Sequence, residues 1–244
     1  MSIEIVNLSK KFKDIFAVNN ISFEINPNKT VGLLGPNGCG KTTSIGMMLG
    51  LIKPTSGRIL IKNNNINTLD RNKLLSIMNF ASPYVELPKK LSVKQNLQIY
   101  GRLYGVKDLS SRINELAEDL NLKDFLNKQT GELSSGQKNR VSLAKSLINK
   151  PEILLLDEPT ASLDPDIGDY VRSYIQSYKS KNKVTILLAS HNMAEVERLC
   201  DSIIMMKKGK IIDQGTSKEI INRHGRSNLE ETFLKIARSE DEVA

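Results

Sequence analysis

Short strand-like stretches alternate with helical ones along this chain, and the pattern predicts an α/β fold. Near the N-terminus, apolar residues recur at a period of two, which is typical of half-buried strands. They are Ile3, Ile5, Ile21, Phe23 and Ile25. Continuous apolar runs at residues 30–34, 153–156 and 184–188 indicate buried parallel strands. Further strands are expected at residues 58–61 and 76–80, and a helix at 44–51.

The middle of the chain has a different periodicity. Apolar and aromatic residues recur there at spacings of three and four, as they do along one face of a helix. One set is Val93, Leu97, Tyr100 and Tyr104, and a second is Leu109, Ile113, Leu116 and Leu120. Because strand signals are scarce between about 83 and 150, we predict that this segment is a helical subdomain inserted between strand-rich parts.

Strand patterns return after residue 151. Residues 202–206 and 210–213 flank Lys207-Lys208-Gly209 and are expected to form a hairpin. We predict one domain over residues 1–215 and a helical tail over 216–244, with the charged end at 239–244 frayed.

Composition excludes several classes of protein. The 244 residues are 39% hydrophobic and 25% charged, which is ordinary for a globular chain and excludes disorder as the main state. No apolar run approaches the roughly 20 residues that cross a bilayer. The N-terminus lacks a basic segment followed by an apolar one, so no secretory signal is expected. Two cysteines, Cys39 and Cys200, fit a reducing compartment.

The net charge is positive, with 35 Lys and Arg residues against 27 Asp and Glu residues. An excess of +8 would attract nucleic acid or an anionic membrane face. The alternative is simply a solvated basic surface. The chain has no Trp, six Tyr and six Phe, which disfavours an aromatic platform for single-stranded nucleic acid.

A glycine-rich segment carries the clearest chemistry. Residues 35–42 match the P-loop pattern, with a strand predicted before them and a helix after them. Glycines allow backbone N–H groups to approach phosphate oxygens, and the following helix directs its positive end at the same anion. Lys41 would reach the β- and γ-phosphates and Thr42 would coordinate Mg²⁺. The full predicted set is Gly35, Pro36, Asn37, Gly38, Cys39, Gly40, Lys41, Thr42 and Thr43.

Two carboxylates end the apolar run at residues 153–156. A buried strand would deliver Asp157 rigidly toward the metal. Glu158 would orient or deprotonate a water molecule beside the γ-phosphate. We therefore predict that Glu158 is catalytic.

Further motifs resemble one known family. Leu133-Ser134-Ser135-Gly136-Gln137, here called the signature segment, is similar to the signature motif of ABC-transporter ATP-binding subunits. Ser162-Leu163-Asp164 resembles their D-loop, and His191 resembles their switch histidine. With the P-loop and the acidic strand, the resemblance covers about residues 3–215. Residues 191–201 and 228–234 are similar to those of exporter subunits for drugs or polysaccharides.

This resemblance implies a fold and a mechanism. The fold is an α/β P-loop NTPase core with a parallel sheet, an N-terminal antiparallel β-subdomain and the inserted helical subdomain. Two such domains would pair head to tail and sandwich each ATP, with Mg²⁺, between one P-loop and the other chain's signature segment. The implied ATP contacts outside the P-loop are Ser134, Ser135, Gly136, Gln137 and Asp164. His191 would contact the γ-phosphate.

Several positions are less clear. The resemblance places Phe12 where an aromatic residue stacks on adenine, and Phe16 is the alternative. Ser82 is the residue nearest the position of a family glutamine that binds the metal, although a serine is shorter. Ser135 replaces a family glycine, which is a mild change if its φ is negative. Cys39 occupies a variable P-loop position and fits a small spacer there. The alternative hypothesis is that the nearby helix N-terminus lowers the thiol pKa, so that alkylating reagents would block activity and ATP would protect.

The sequence thus predicts an ATP-hydrolysing subunit that powers a membrane transporter, more specifically an exporter. An importer subunit is the alternative, and an ABC ATPase acting on nucleic acid or ribosomes is a more distant one. Its partners would be an identical or different second ATP-binding subunit and a separate transmembrane permease, with no nucleic acid. It would lie peripherally on the cytoplasmic side of the membrane. The permease would dock on residues 83–104, a stretch that includes Tyr84, Val85, Leu87, Lys89, Lys90 and Leu97. For each of these residues the alternative is ordinary core packing.

Overall fold

The computed structural model describes residues 1–67 and 71–238. These residues form two compact units, one from residues 1–67, 71 and 185–238 and the other from Asn72–Val184. They are called here the first and the second unit. Among the described residues, no helix has both the length and the apolar character required to span a membrane.

The secondary structure alternates as the sequence predicts. In chain order the strands are β1 (Ile3–Phe12), β2 (Ile15–Ile25), β3 (Thr30–Leu34), β4 (Ser56–Ile61), β5 (Asn64–Asn65), β6 (Met78–Ala81), β7 (Ile153–Asp157), β8 (Thr185–Ser190), β9 (Ser202–Lys207) and β10 (Lys210–Gly215). The helices are α1 (Lys41–Met48), α2 (Arg71–Ser76), α3 (Val93–Leu103), α4 (Leu109–Asp119), α5 (Ser135–Leu147), α6 (Pro165–Asn182), α7 (Met193–Leu199), α8 (Ser217–His224) and α9 (Leu229–Arg238).

An antiparallel sheet forms the N-terminal part of the first unit. Its strand order is β2-β1-β4-β5. Ile3 pairs with Ile25 of β2 on one side and with Ile61 of β4 on the other. All three side chains are fully buried. The period-two pattern therefore marks the buried face of this sheet, as predicted.

The first unit also contains the strand group β10-β9-β3-β8. Strand β3 is parallel to both β8 and β9, and β9 and β10 form the predicted antiparallel hairpin. Every residue of β3 is buried, which explains its continuous apolar sequence. The C-terminal helices pack against this part of the unit through one apolar cluster, formed by Leu34, Val196, Ile203, Met205, Ile220, Leu229 and Ile236.

The second unit contains the parallel pair β6–β7 and the predicted helices. Helix α3 begins at a capping box in which the Ser92 and Gln95 side chains each bind the other's backbone N–H. Its inward face includes Leu97, which is fully buried. The prediction that Leu97 contributes to a docking surface is therefore wrong, because its side chain belongs to the core of this unit.

Several predicted element boundaries are also wrong, most clearly those of one strand and one helix. The strand expected at residues 76–80 begins at Met78, because Ser76 is the last residue of α2. The helix expected at 44–51 begins at Lys41, directly after its N-cap Gly40, and ends at Met48, because Gly50 adopts the left-handed conformation that terminates helices. The boundary between domain and tail at residues 215 and 216 stays a prediction, and the expected frayed end at 239–244 lies outside the described residues.

Candidate functional site

In the first unit, the P-loop connects the buried strand β3 to helix α1. Gly40 has a φ of 109°, and a Cβ atom there would lie 2.5 Å from the carbonyl oxygen of Ala17, so only glycine fits. Gly38 also has a positive φ, of 79°, and both it and Asn37 are exposed. The loop thus presents its backbone to solvent directly before the positive end of α1, as an anion-binding site requires.

The Lys41 side chain lies inside this loop. Its ammonium nitrogen donates to the carbonyl oxygens of Gly35 at 2.6 Å and of Pro36 at 3.3 Å. Only 7% of Lys41 is exposed. Thr42, the next residue, is exposed in the first turn of α1, and Thr43 is half-buried. These contacts place a positive charge, N–H groups and a hydroxyl within one helical turn, which suits a triphosphate.

Cys39 does not have the reactive environment that the sequence suggested. The thiol is 3% exposed, and its sulfur lies 4.0 Å from the Lys41 ammonium. Burial raises the pKa of the Cys39 thiol, and this outweighs the opposing effects of Lys41 and the backbone hydrogen bonds. The prediction of a lowered pKa is therefore wrong, because desolvation exceeds the effect of the helix N-terminus.

We expect alkylation of Cys39 to be slow in the folded protein. On a Cys200→Ser background, N-ethylmaleimide should label Cys39 at pH 7.5 about 100-fold more slowly than in denaturant, because thiolate and access are both limited. Mass spectrometry over time measures both rates. Equal rates in the folded and the unfolded chain would contradict this account.

His191 lies at the same sheet edge as the P-loop. Strands β3 and β8 are parallel and pair Leu34 with Ser190. The P-loop follows Leu34 and His191 follows Ser190. Ser190 Oγ accepts the N–H of Asn192 at 3.1 Å, and the Asn192 side chain caps α7 by accepting the N–H of Glu195 at 3.1 Å. The turn that carries the exposed His191 is thereby fixed on both sides.

Sequence reasoning missed this support of His191. Asn192 precedes a helix and has an acidic residue three positions later, which is a signal for a helix N-terminus. That signal would have identified Asn192 as the residue that fixes the turn.

Both candidate adenine-stacking residues lie on the β1–β2 hairpin. Phe12 is 48% exposed and Phe16 is 44% exposed. Lys10 lies 4.8 Å above the ring of Phe12, and Lys11 lies 5.4 Å above that of Phe16. Since Ala17 abuts Gly40, this hairpin reaches the P-loop. The rings of Phe12 and Phe16 are therefore both accessible to a ligand, and the choice of Phe12 as the adenine-stacking residue stays a prediction.

The second unit carries the acidic strand end. Strands β6 and β7 are parallel and pair Ala81 with Leu156, so Ser82 and Asp157 both follow at the carboxyl edge of the pair. Asp157 is 3% exposed and Glu158 is 7% exposed. Glu158 has a φ of 53°, an unusual conformation for a non-glycine residue, which costs about 1–3 kcal/mol and is concentrated at functional sites.

Ser82 is held by its own loop. Its Oγ accepts the N–H of Tyr84 at 3.3 Å, and its carbonyl oxygen accepts the hydroxyl of Ser142 at 3.3 Å. Only 3% of the residue is exposed. The prediction of Ser82 as a metal ligand stays a prediction.

The signature segment leads into α5. Ser134 caps this helix, with its Oγ accepting the N–H of Gln137 at 3.2 Å while the Gln137 Oε1 accepts the N–H of Ser134 at 3.0 Å. The hydroxyl proton of Ser134 can therefore point away from the helix. Ser135 lies in the first helical turn without a positive φ, so the loss of the family glycine there causes no strain.

Gly136 has no steric reason within this chain to lack a side chain. A Cβ atom there would lie 3.4 Å from Leu163 and 3.5 Å from the Ser162 carbonyl oxygen, which are ordinary contacts. Asp164 follows Ser162 and Leu163 in the D-loop and is exposed. It directly precedes α6, but its side chain does not cap that helix. Asn139 of α5 donates to the carbonyl oxygen of Ala161 at 2.8 Å. The signature segment and the D-loop therefore lie together on one surface.

A P-loop between a buried parallel strand and a helix, with buried carboxylates ending another strand, defines a nucleotide-hydrolysing protein of the P-loop class. The family profile described as ABC transporter matches residues 18–161. The chain belongs to this family and is one of its ATP-binding, ATP-hydrolysing subunits, as predicted from its motifs.

Relatives and solved structures agree with this placement. The chain is 33% identical over 238 residues to the ABC transporter ATP-binding protein NatA of Bacillus subtilis (strain 168), covering 95% of this chain and 96% of the relative. It is 33% identical to the Nod factor export ATP-binding protein I of Rhizobium sp. (strain N33), and this match covers 96% of the chain and 77% of the relative. One solved structure similar to this chain is the dimeric post-hydrolysis state of the ATP-binding cassette MJ0796 bound to ADP and Pi. It superposes with a TM-score of 0.82 at 26% identity, and the superposition covers 88% of this chain and 98% of that chain.

Proposed function

We propose that this chain binds ATP at the P-loop and hydrolyses it to drive an exporter. The observation that carries this proposal is the P-loop itself, in which Lys41 is held beneath exposed backbone at the start of α1. Lys41 and the helix N-terminus bind the phosphates. The Phe12 ring stacks on the adenine.

The oxygen donors of this chain suit Mg²⁺. Thr42 and Asp157 supply a hydroxyl and a carboxylate, which are ligand types that magnesium prefers, and Ser82 is a third candidate. Among the described residues, no group of three or more His, Cys, Asp or Glu side chains forms a metal site. Phosphate and water oxygens would thus complete the coordination. Bound Mg²⁺ would neutralise charge on the phosphates.

Glu158 is the proposed general base. Its left-handed backbone sets the carboxylate at a fixed turn immediately after β7. It accepts a proton from the attacking water. His191 contacts the γ-phosphate and stabilises the transferred charge.

We propose that two chains bind ATP between them, with the signature segment of one chain facing the P-loop of the other. The open surface at Gly136 supports this, because close approach from outside explains a glycine that internal packing does not require. The dimeric MJ0796 structure supports it as well. In the dimer, the Ser134 hydroxyl and the N-terminus of α5 bind the γ-phosphate of the partner's nucleotide.

Ser134→Arg is expected to allow ATP binding and prevent pairing. The arginine would fill the space that the partner's nucleotide occupies, so less than about a tenth of the dimer should remain, a loss of at least 1.4 kcal/mol in association free energy. Light scattering with and without ATP measures pairing. Ser110→Arg, at an exposed position of α4, is the matched control. Persistence of the ATP-induced dimer would exclude the shared site.

A separate permease docks on the second unit near residues 83–104. Tyr84 is 75% exposed and its neighbour Val85 is 48% exposed, so two large side chains with apolar surface are exposed side by side here. Beside them, Pro83, Val85 and Leu87 line a cleft of about 70 Å³. An apolar segment of a membrane partner would cover this surface, so we propose that the subunit lies on the cytoplasmic face of the membrane.

Transport is proposed to be outward because relatives at 33% identity are named as export proteins. Purification from membranes tests the whole proposal. Recovery of the chain in the membrane fraction with a hydrophobic partner, together with ATP hydrolysis, would support it. Recovery with RNA that is lost at high salt would instead favour action on nucleic acid.

A further inference from the structure

Lys145 is a partly buried cation in the second unit. It lies on α5, eleven residues after Ser134, which corresponds to about 16 Å along a helix. Its ammonium nitrogen donates to the carbonyl oxygen of Phe80 at 2.9 Å and lies 5.5 Å from the centre of the Tyr100 ring. One side chain of α5 therefore contacts both β6 and α3.

The contact with Phe80 is one of several between α5 and the end of β6, and the Asn79 side chain of β6 also donates to the carbonyl oxygen of Lys145 at 3.5 Å. Ser142, one turn earlier on α5, donates to the carbonyl oxygen of Ser82 at 3.3 Å. The β6 segment between these contacts pairs with β7 at Ala81 and Leu156, immediately before Asp157. The helix that begins at the signature segment is thus bonded to the strand edge that carries the acidic residues.

Burial of this charge opposes folding. Desolvation lowers the pKa of Lys145 from 10.5 to about 8, and no acidic side chain among the described residues offsets it. Below about pH 8 the protonated lysine therefore costs stability in full, and the cost fades as the pH rises toward the pKa of the unfolded chain. An apolar residue would avoid this cost, so the lysine is better explained by its directional bond than by stability.

We propose that Lys145 is a positioning residue that holds α5 to the end of β6 and so couples the two nucleotide half-sites of one chain. This inference rests on the proposed function, in which the signature segment serves the partner's ATP and Asp157 and Glu158 serve the chain's own. Because Lys145 fixes both within the second unit, a change at one half-site moves the other. Lys145 lies about 16 Å along α5 from Ser134 and outside the proposed ATP contacts, so we expect it to affect the rate of turnover and not the affinity for ATP.

Titration of Lys145 makes this role measurable. Helices α3 and α4 pack against α5, and burial is the only cause that lowers the pKa of Lys145, so none of their charged groups shifts it. Arg112 of α4 donates to the carbonyl oxygen of Leu147 at 2.6 Å. The titratable and charged groups of α3 and α4, with the residue that follows α3, are Lys94, Tyr100, Arg102, Tyr104, Arg112, Glu115, Glu118 and Asp119. Burial raises the pKa of Tyr104 further from neutrality. A guanidinium keeps its charge. Loss of the lysine proton should weaken the bond to Phe80, because a charged donor binds about twice as strongly as a neutral one.

The test compares ATP turnover by the purified chain and its Lys145→Met and Lys145→Arg variants from pH 7 to 9.5. At pH 7, we expect kcat of the methionine variant to fall at least about fivefold with KM for ATP unchanged, since a lost charged hydrogen bond has effects of this size. Arginine should restore kcat to within about twofold. The ratio of wild-type to arginine turnover should fall about threefold as the pH rises, with a midpoint near 8.

Lys128→Met, at an exposed lysine of the same unit, is the matched control. Two results would overturn the role of Lys145. One is a methionine variant with wild-type kcat, and the other is a ratio of wild-type to arginine-variant turnover that does not change with pH. The proposed function itself fails in a different way, namely if the wild-type chain neither hydrolyses ATP nor pairs in its presence.

Discussion

Glu158→Gln is expected to slow ATP hydrolysis by about 10²–10⁴-fold, which is the usual contribution of a general base. Glutamine has nearly the same shape and fits the same buried turn, but it cannot accept a proton from water. ATP should therefore bind and remain intact. Because the γ-phosphate would stay in place between two chains, the variant should accumulate as an ATP-bound dimer.

Phosphate release and light scattering measure the two effects on one sample. Glu118→Gln is the control, since Glu118 is an exposed residue whose side chain forms an ion pair with Lys123. Unchanged turnover in the Glu158 variant would show that another group activates the water. Slow turnover without a trapped dimer would contradict the shared nucleotide site.

Lys41→Ala is expected to weaken ATP binding about 10- to 150-fold, because a hydrogen bond to a charged group contributes about 1.5–3 kcal/mol. The lysine is the only cationic side chain within residues 35–43. Its loss also removes the donor to the Gly35 and Pro36 carbonyl oxygens. Isothermal titration with ATP in the presence of Mg²⁺ measures affinity.

Lys218→Ala, at an exposed position of α8, controls for the loss of one positive charge. Circular dichroism at the titration temperature shows whether the Lys41 variant remains folded. A folded Lys41→Ala chain that binds ATP normally would exclude the P-loop as the phosphate site.

Elements with a strong local pattern were predicted well. Strand β3 was predicted to the residue, because a turn precedes its apolar run and a glycine ends it. The start of β6 was misplaced, because a four-residue strand carries too little periodicity to be separated from the end of α2. The start of α1 was misplaced because the conformation of Gly40, which begins the helix, leaves no hydrophobic pattern.

In the candidate site, too, features that depend on local sequence were predicted well and features that depend on distant neighbours were not. The spacing of Gly35, Lys41 and Asp157 was informative because phosphate and metal chemistry depends on a few residue types at fixed positions along the chain. The helix N-terminus suggested a reactive Cys39, but the thiol is buried and its pKa is raised. Neighbours distant in sequence determined that outcome.

The sequence by itself determined the class of chemistry, the order of strands and helices and the identity of the phosphate-binding loop. These follow from backbone geometry and periodicity, which are local properties. Only the tertiary structure decided that Leu97 is core, that Glu158 has a left-handed backbone and that Lys145 is a partly buried cation bonded to β6. Burial and desolvation depend on which distant segments surround a side chain, and no local pattern contains that information.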